Sequence, residues 1–577
     1  MIGDIINEPK GEDIVVGIDF GTSGLGFAYG CINKPNEKPV LGFFDGQINN
    51  NKIPNEIILD DDLNVLAFGK GCAPFLSSNK RNKFHHFSKI KMNLYKKIYK
   101  IKARNTNKEV DIQCIIKLIL KQVKEKAKEQ IKRTIPDLKE ENLYFTLTVP
   151  AIWDNISKQI MMDAAKEAGL IRENDDPSNF FALEPEAALI DYFKSPYVYK
   201  PILDSEDAFI LCDFGAGTID IVTQKIDKNN LDLKFKEIIP PKGGDNGFNK
   251  INEYFMDEVI KELFGEEDFN NAKENICQNE YSDWLEFEKN IEEFKKDFYE
   301  PFDKGYTIDC DIFSQYCQKD LNTLIDNFNS KHKEWNLKIK RGWKIEFTYQ
   351  IIKDLMLRLI DKIIKEYISP ILKSQNPNLI IFTGGGSANS YLKTYFQERG
   401  LNLINIVQST APEVAIALGS VLFFYNHNII SQRKSKYTFG IKSRRPWKEK
   451  YQKGGKKIFD ELDDKFVCEN IFSKFITKNE NISPDREIVH SYSMSFSKVA
   501  VELYKTDEEN VTFCDEKDKN GNLKVSKFAE FIIDVGNDFD ISKREAIVKM
   551  KIGGTFINAS AIYRKTGKNS KITCIYE

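Results

Sequence analysis

The 577-residue sequence predicts an α/β protein of two related lobes followed by an all-β unit. Three observations carry this. A hydrophobic run leading into Asp-Phe-Gly and small residues occurs twice, at Ile18-Asp19-Phe20-Gly21-Thr22-Ser23 and at Cys212-Asp213-Phe214-Gly215-Ala216-Gly217-Thr218. Strand and helix patterns alternate between and after these copies. From about residue 437 the helical period yields to two-residue alternation, as at Val499, Val501 and Leu503, with polar turns between.

Each copy of the repeat has the same physical logic. Val15-Val16-Gly17-Ile18 and Phe209-Ile210-Leu211-Cys212 are short apolar runs without helical period, suited to buried strands. Gly21 and Gly24, and then Gly215 and Gly217, permit tight turns and close backbone approach. Backbone N–H groups in such turns make an anion-binding concavity, to which Thr22, Ser23 and Thr218 add hydroxyl donors. Asp19 and Asp213, at the strand ends, stand where a hydrated Mg²⁺ would sit, because Mg²⁺ keeps most of its waters and needs few carboxylates. One such hairpin alone reads as an ordinary glycine turn; two facing hairpins can clamp a phosphate chain, which points to a nucleotide held between lobes. Asp-Phe-Gly also occurs in protein kinases, but that reading needs an upstream His-Arg-Asp loop, which the sequence lacks.

The remaining elements follow in order. Residues 14 to about 60 read as strands and turns, and Asp111 to Arg133 as an amphipathic helix with Ile112, Ile115, Ile116, Ile119, Leu120 and Val123 on one face. Leu143 to Val149 is a strand ended by Pro150, and Ser157 to Gly169 a helix with Gly169 as its C-cap. Segments 246–300 and 315–370 read as helices, with Trp284, Phe287, Ile291 and Phe294 forming a core stripe. Leu379-Ile380-Ile381-Phe382 then enters Thr383-Gly384-Gly385-Gly386-Ser387, ahead of a helical segment from Tyr391 to Arg399. That strand, glycine turn and helix let the backbone pass close beneath a flat ligand such as a purine.

Composition bounds the function. With 41% hydrophobic residues the chain can bury large cores, and a net charge of −2 gives no general attraction to nucleic acid or acidic membranes. Ten cysteines without a CxxC pair suit a reduced compartment. Met1-Ile2-Gly3-Asp4 has no basic, apolar leader character and no run approaches a membrane span, so the expected location is cytoplasmic.

Together these residues resemble a known family. Asp19 to Ser23, Asp213 to Asp220 and Gly384 to Ser387 look like the two phosphate motifs and the adenosine motif of the actin-like (ribonuclease H-like) ATPase superfamily. Val149-Pro150-Ala151-Ile152-Trp153, Leu183-Glu184-Pro185-Glu186-Ala187-Ala188 and Pro412-Glu413-Val414-Ala415 through Gly419 resemble segments of its heat-shock-70 chaperones. Tyr437 to Ile441, Val501 to Lys505, and Ile557 to Ala561 with Thr566 to Thr573 are similar to strands of the chaperone's peptide-binding β-sandwich. The divergent glycine motif and the inserted helices look most like the type-12 branch. The resemblance implies a nucleotide-binding domain over 1–430, with lobe I at about 1–205 and 400–430 and lobe II at about 206–399, and a β-sandwich over 431–577 that ends at Glu577 without a helical lid.

It also implies roles. Asp19 and Asp213 would organise Mg²⁺ through its waters, and Glu184 and Asp220 would bind metal water or align the attacking water. Gly21, Thr22, Ser23, Gly215, Ala216, Gly217, Thr218 and Gly244 would surround the phosphates. For the lysine near the γ-phosphate, Lys89 is the first choice and Lys91 the second. Gly385, Gly386, Ser387 and Glu413 match the adenosine side, with Lys295 and Lys296 as the basic pair flanking the base. The expected cofactors are ATP/ADP and Mg²⁺. The segment His427 to Lys436 departs from the family's acidic, leucine-rich linker, which puts interdomain signalling in question. Two features read as structural: His85-His86 as a loop pair rather than a metal site, and the basic aromatic stretch Lys442 to Lys457 as a solvated loop.

Two function classes stand. One is a weak ATPase and chaperone-like machine that grips polypeptide clients according to nucleotide state. The other is a nucleotide-dependent adaptor that exposes a docking surface for a partner protein, with hydrolysis incidental. A metabolite kinase of the same superfamily is a distant third. Nucleic acid is not an expected partner, and the oligomeric state is left open.

Overall fold

The computed structural model describes residues 12–44, 51–77, 84–172, 180–205, 207–229, 232–298, 305–461, 463–484, 486–538, 540, 545–551, 558–567, 569–571 and 575–576. Within it the two Asp-Phe-Gly strands sit inside two separate mixed sheets of the same local plan. Ile14–Phe20 pairs antiparallel with Gly24–Cys31 and parallel with Leu143–Val149. Phe209–Phe214 pairs antiparallel with Ile219–Ile226 and parallel with Leu379–Thr383. Both first strands are buried along their whole length, as their unbroken apolar runs require. The register places Asp19 opposite Gly26 and Asp213 opposite Asp220.

A pair of helices joins the sheets. Glu184–Lys194 and Ala415–Tyr425 share one core with Phe209, Leu211, Val222, Leu379 and Ile381 of the second sheet. On its other side, Ala415–Tyr425 contributes Ala417, Leu418 and Val421 to a cluster with Val15 and Ala28 of the first sheet. The contacts are tight: a Cβ on Gly419 would lie 1.8 Å from the Ala187 carbonyl oxygen, and one on Gly17 would lie 2.0 Å from Ser420 Oγ. Such distances admit only glycine without backbone movement.

Several expected elements shift. The amphipathic helix spans Ile112–Thr134, with Asp111 as the N-cap accepting from the Gln113 N–H. The next helix spans Asn155–Glu167, and Gly169 follows it with φ +72°. The 246–300 region contains helices including Glu266–Asn279 and Tyr281–Lys296, with Trp284, Phe287, Ile291 and Phe294 buried as a stripe. The 315–370 region is not helical throughout. Lys338–Arg341 and Lys344–Thr348 form a hairpin there, joined by Gly305–Asp309 in a three-stranded sheet. Gly342 (φ +60°) makes that turn, a local signal that the helical period masked. His85 and His86 are on a strand, His85–Ser88, not in a loop.

Past residue 430, two antiparallel sheets share a core: Ile441, Ile476, Val501, Leu503 and Phe531 pack with Ile488, Ala546, Val548 and Met550. The basic aromatic stretch is partly strand, since Thr438–Pro446 pairs with Lys465–Ile476 and Lys457–Asp460 extends the same sheet. Of the C-terminal segments used in the resemblance, Ile557, Lys568, Ile572 and Thr573 lie outside the described residues.

The segment expected to link two domains is itself a strand. Ile430–Lys434 runs parallel to Phe235–Gly244 in the second sheet and antiparallel to Asn481–Ile482 on its other side. The expected division at 430 therefore falls at the first residue of a strand that belongs to both neighbours. Similarly, Asn405–Gln408 extends the second sheet, so residues 400–430 serve both sheets rather than the first alone. Among the described residues no helix is long and apolar enough to cross a membrane, and the described cysteines are unpaired.

Gly419→Ala is expected to destabilise the protein by about 1–3 kcal/mol, since its Cβ would meet main chain rather than a movable side chain. Urea unfolding of the variant and of Gly385→Ala, where a Cβ meets nothing within 4 Å, measures this; equal midpoints would remove the helix contact from its structural role.

Candidate functional site

The ends of the two central hairpins face each other across a cavity of about 430 Å³, within the range of sites for small organic ligands. Asp19, Gly21, Thr22 and Ser23 line it from one hairpin, and Asp213, Gly215, Ala216 and Thr218 from the other. A side-chain bridge spans the gap: Asn249 Nδ2 donates to Ser23 Oγ at 3.3 Å. Its own backbone N–H donates to Ala216 O at 2.8 Å, and Phe248 N–H to Gly215 O at 3.0 Å, so the second glycine turn is held from behind. Asn55 Nδ2 does the same for the first turn, donating to Gly21 O at 2.8 Å.

The opposite wall is flatter and more apolar. Gly384, Gly385 and Gly386 line it together with Phe248, Met356, Pro412, Glu413 and Ile416, and Lys295 and Lys296 complete the rim. Gly384 has φ +79°, and a Cβ there would lie 2.2 Å from Asp213 Oδ1, so this glycine is required by both conformation and space. Ser387 turns inward and donates from Oγ to Gly384 O at 2.8 Å. Lys295 is buried and pairs with Glu292 at 2.7 Å; Lys296 is exposed and reaches the same carboxylate at 3.3 Å.

Four carboxylates are buried here: Asp19, Glu184 and Asp213 line the cavity, and Asp220 lies behind its wall. Glu184 opens its helix, directly after the strand Phe181–Leu183, and pairs with the buried Lys91. Lys52 pairs with Asp19 at 2.7 Å. Burial pushes the Glu184 carboxyl up to about 7; Lys91 pulls it down, while Asp19 and Asp220 push it further up. Burial likewise lifts Asp220 to about 6 against the pull of Lys91. Asp213 is raised well above the usual carboxylate range by burial, then by Glu184, Asp220 and Asp19. Asp213 Oδ1 is buried without a hydrogen-bond partner among the described residues. An unpartnered carboxylate oxygen amid like charges fits a cation held nearby. No three His, Cys, Asp or Glu groups converge as a direct ligand set among the described residues.

Some expected site residues stand elsewhere. Lys89 does not reach the carboxylates: its side chain is 61% exposed and its ammonium lies 3.6 Å from Glu288, lining an outer cleft. The left-handed backbone of Lys89 (φ +56°) starts the helix Ile90–Tyr95, whose first turn carries the second choice, Lys91, into the floor. Gly217 lines the outer cleft, packed against Met92 and Thr22. Gly244, Asp220 and Ser387 lie behind the cavity wall rather than on it. Gly244 faces the Tyr367 hydroxyl, and Asp220 accepts from the Ile152 N–H at 3.2 Å. Lys52, Phe248, Asn249 and Met356 were not among the expected residues. Lys52-Ile53-Pro54 carries no motif; only its strand pairing with Gly24–Gly26 brings it to Asp19.

The outer cleft is bridged by side chains. His86 Nδ1 lies 2.6 Å from the Tyr281 hydroxyl and its Nε2 lies 3.1 Å from Glu56, while Arg104 pairs with Glu288 at 2.7 Å. Residues 56–104 thus meet the helix Tyr281–Lys296 through these pairs.

Two outcomes follow. Folded Glu184 holds its proton up to about 7, whereas the unfolded carboxyl releases it near 4.5. Between those values the folded state binds more protons, so wild type loses stability relative to Glu184→Gln as pH rises, by about 3 kcal/mol at most. Urea midpoints of both proteins from pH 4.5 to 7.5 check the sign; parallel curves would contradict it. Removing the His86 partner with Tyr281→Phe should lower stability by about 1 kcal/mol, the effect of losing one buried hydrogen bond, read by urea midpoints; an unchanged midpoint would contradict it.

Comparison with known proteins agrees with this geometry. A family model described as Hsp70 protein matches residues 76–282. Heat shock 70 kDa protein 12A of Mus musculus is 22% identical, with 99% of this chain and 92% of that protein covered. The same protein of Homo sapiens is also 22% identical, over 98% of this chain and 92% of its own length. Human heat shock 70 kDa protein 12B is 20% identical, over 96% and 90%. The family's domain carries an actin-like ATPase fold that binds nucleotide, and the mixed α/β architecture with two glycine hairpins about one cavity accords with it. On these grounds the chain is similar to heat-shock-70 proteins, type-12 members among them.

Proposed function

We propose that this protein is a slow, Mg²⁺-dependent ATPase whose nucleotide state governs polypeptide binding by a C-terminal β-sandwich, the two mixed sheets being the cores of its two ATPase lobes. The observation that carries this reading is the pair of glycine hairpins facing each other over Glu184 and Lys91. Thr22, Ser23 and Thr218 would hold phosphate oxygens together with the turn N–H groups. Asp19 and Asp213 would hold Mg²⁺ through its waters, and the ion would neutralise phosphate charge. Glu184 lines the cavity and would align the attacking water; Asp220, behind the wall, would act through the field it exerts on Glu184. The adenine would lie against Gly385, Gly386, Met356 and Ile416, with Lys295 and Lys296 at its edge.

A route to the C-terminal unit supports the coupling. Glu184 and Glu186 share the first turn of one helix. Glu184 faces the cavity, while the buried Glu186 is gripped by both terminal nitrogens of Arg433 in the strand Ile430–Lys434. The Lys434 N–H donates to Glu237 at 2.8 Å, and Ser431 donates to Asp227 at 2.6 Å. The C-terminal unit exposes Phe459, Phe466, Val489 and Phe496, apolar groups suited to an extended peptide. A cytoplasmic location fits the unpaired cysteines.

One observation favours the adaptor reading. Burial, then Glu184, Asp220 and Asp19, hold Asp213 well above the usual carboxylate range, a direction that disfavours its charged, metal-holding form.

Single-turnover hydrolysis of ATP with Mg²⁺, beside peptide anisotropy in ATP and ADP, separates the two. Turnover lost in Asp213→Ala by about tenfold or more, with nucleotide-dependent peptide affinity, supports the machine. Background hydrolysis with tight nucleotide binding leaves the adaptor. Arg433→Ala should keep nucleotide affinity while erasing the ATP/ADP difference in peptide affinity; an unchanged difference would remove the strand from the coupling.

A further inference from the structure

Among the described residues, Lys52 is the one cavity-lining cation outside every expected motif. It starts the strand Lys52–Pro54, paired antiparallel to the first hairpin with Gly26 opposite Lys52 and Gly24 opposite Pro54. Those glycines make room for it. A Cβ on Gly26 would stand 3.3 Å from Lys52 Cγ and one on Gly24 would stand 3.6 Å from Lys52 Cδ, so the alkyl stem lies along the side-chain-free face of the hairpin. The ammonium ends 2.7 Å from Asp19 Oδ2. Its partner carboxylate is almost fully buried, whereas the lysine side chain keeps 32% of its surface open toward the cavity.

The charge pattern gives this position a consequence. Lys91 is buried and committed to Glu184. Among the described residues Lys52 is therefore the floor cation with donors left to offer a ligand, since an ammonium has three N–H groups and its described ion-pair partner is Asp19 alone. It also neutralises one of the two carboxylates to which the proposed function assigns the hydrated metal. A phosphate chain entering the cavity would meet Asp19 already paired, with a positive donor group on its open side.

Resting on the nucleotide reading above, we propose that Lys52 is a tethered cation bridging Asp19 and the phosphate chain, so that the protein binds adenine nucleotide with little dependence on divalent metal. The role is positioning and charge compensation. Lys52 does not replace Mg²⁺ in turnover; it lowers the repulsion that the carboxylate floor would otherwise exert on a metal-free polyphosphate.

The test is a titration of fluorescent ADP by anisotropy, in saturating Mg²⁺ and in excess EDTA, on the full chain and on Lys52→Met and Lys52→Arg. Wild type should show dissociation constants within about threefold in the two conditions, under 1 kcal/mol. Lys52→Met should weaken binding in EDTA by about tenfold to a hundredfold, the loss expected for one charge-assisted contact, and recover most of it in Mg²⁺. Lys52→Arg should retain the wild-type ratio, and because it keeps the ion pair it also covers the case in which the methionine variant fails to fold. Wild type that binds with Mg²⁺ but loses a hundredfold in EDTA overturns the inference and leaves the nucleotide reading intact. Equal EDTA-to-Mg²⁺ ratios in wild type and Lys52→Met overturn it as well. Absence of binding by wild type in either condition would overturn the nucleotide reading itself.

Discussion

The contact between Gly419 and Ala187 is the constraint on which the rest of this structure depends. It lets the helices Glu184–Lys194 and Ala415–Tyr425 approach main chain to main chain, and those helices are what the two mixed sheets have in common. Close packing of this kind leaves no slack: a shift of either helix would move the strand ends that carry Asp19 and Asp213 relative to each other. The same helix that supplies Ala187 to the contact begins with Glu184 in the cavity. Packing and site are therefore one arrangement.

That arrangement buries more negative charge than the interior offsets. Three carboxylates line the cavity and a fourth, Asp220, lies behind its wall, against the ammoniums of Lys52 and Lys91. Burial raises Glu184, Asp213 and Asp220 above the usual carboxylate range, and Asp213 Oδ1 has no hydrogen-bond partner among the described residues. A site in that condition gains from any cation that enters with its ligand. The tension is a property of the floor as folded, and it gives both readings of the protein their physical content: a metal-bearing nucleotide relieves it, and so in part does a lysine already in place.

The connection to the C-terminal unit is also electrostatic and equally buried. Arg433 is nearly enclosed, its guanidinium set against Glu186, with Glu237 and Lys158 close by. Burial, then Arg433, pushes Lys158 down to about 8, a sign of how confined the positive charge is. Breaking such a pair leaves a buried charge uncompensated, so the linking strand is held as a structural member of the second sheet rather than as a tether.

Much of the fold was legible along the chain. Short unbroken apolar runs before glycine turns mark buried strands, and the 3.6-residue spacing of Ile112 to Val123 marks a helix, because these patterns are set by neighbours in sequence. The hairpin residues Asp19, Thr22, Ser23, Asp213, Gly215 and Thr218 were readable for the same reason. The hairpin at Lys338–Thr348 was hidden inside a helical period, and Ile430–Lys434 had no strand signature apart from the partners on either side. The lysines show the division most clearly. Whether Lys89 or Lys91 turns inward depends on a left-handed residue that no local pattern announces, and Lys52 reaches Asp19 through pairing with a distant hairpin. Sequence by itself determined the turns, the periodicities and the chemistry at the strand ends. Which charges meet in the cavity was decided by tertiary structure alone, because ion pairing depends on distances across strands that sequence separation does not encode.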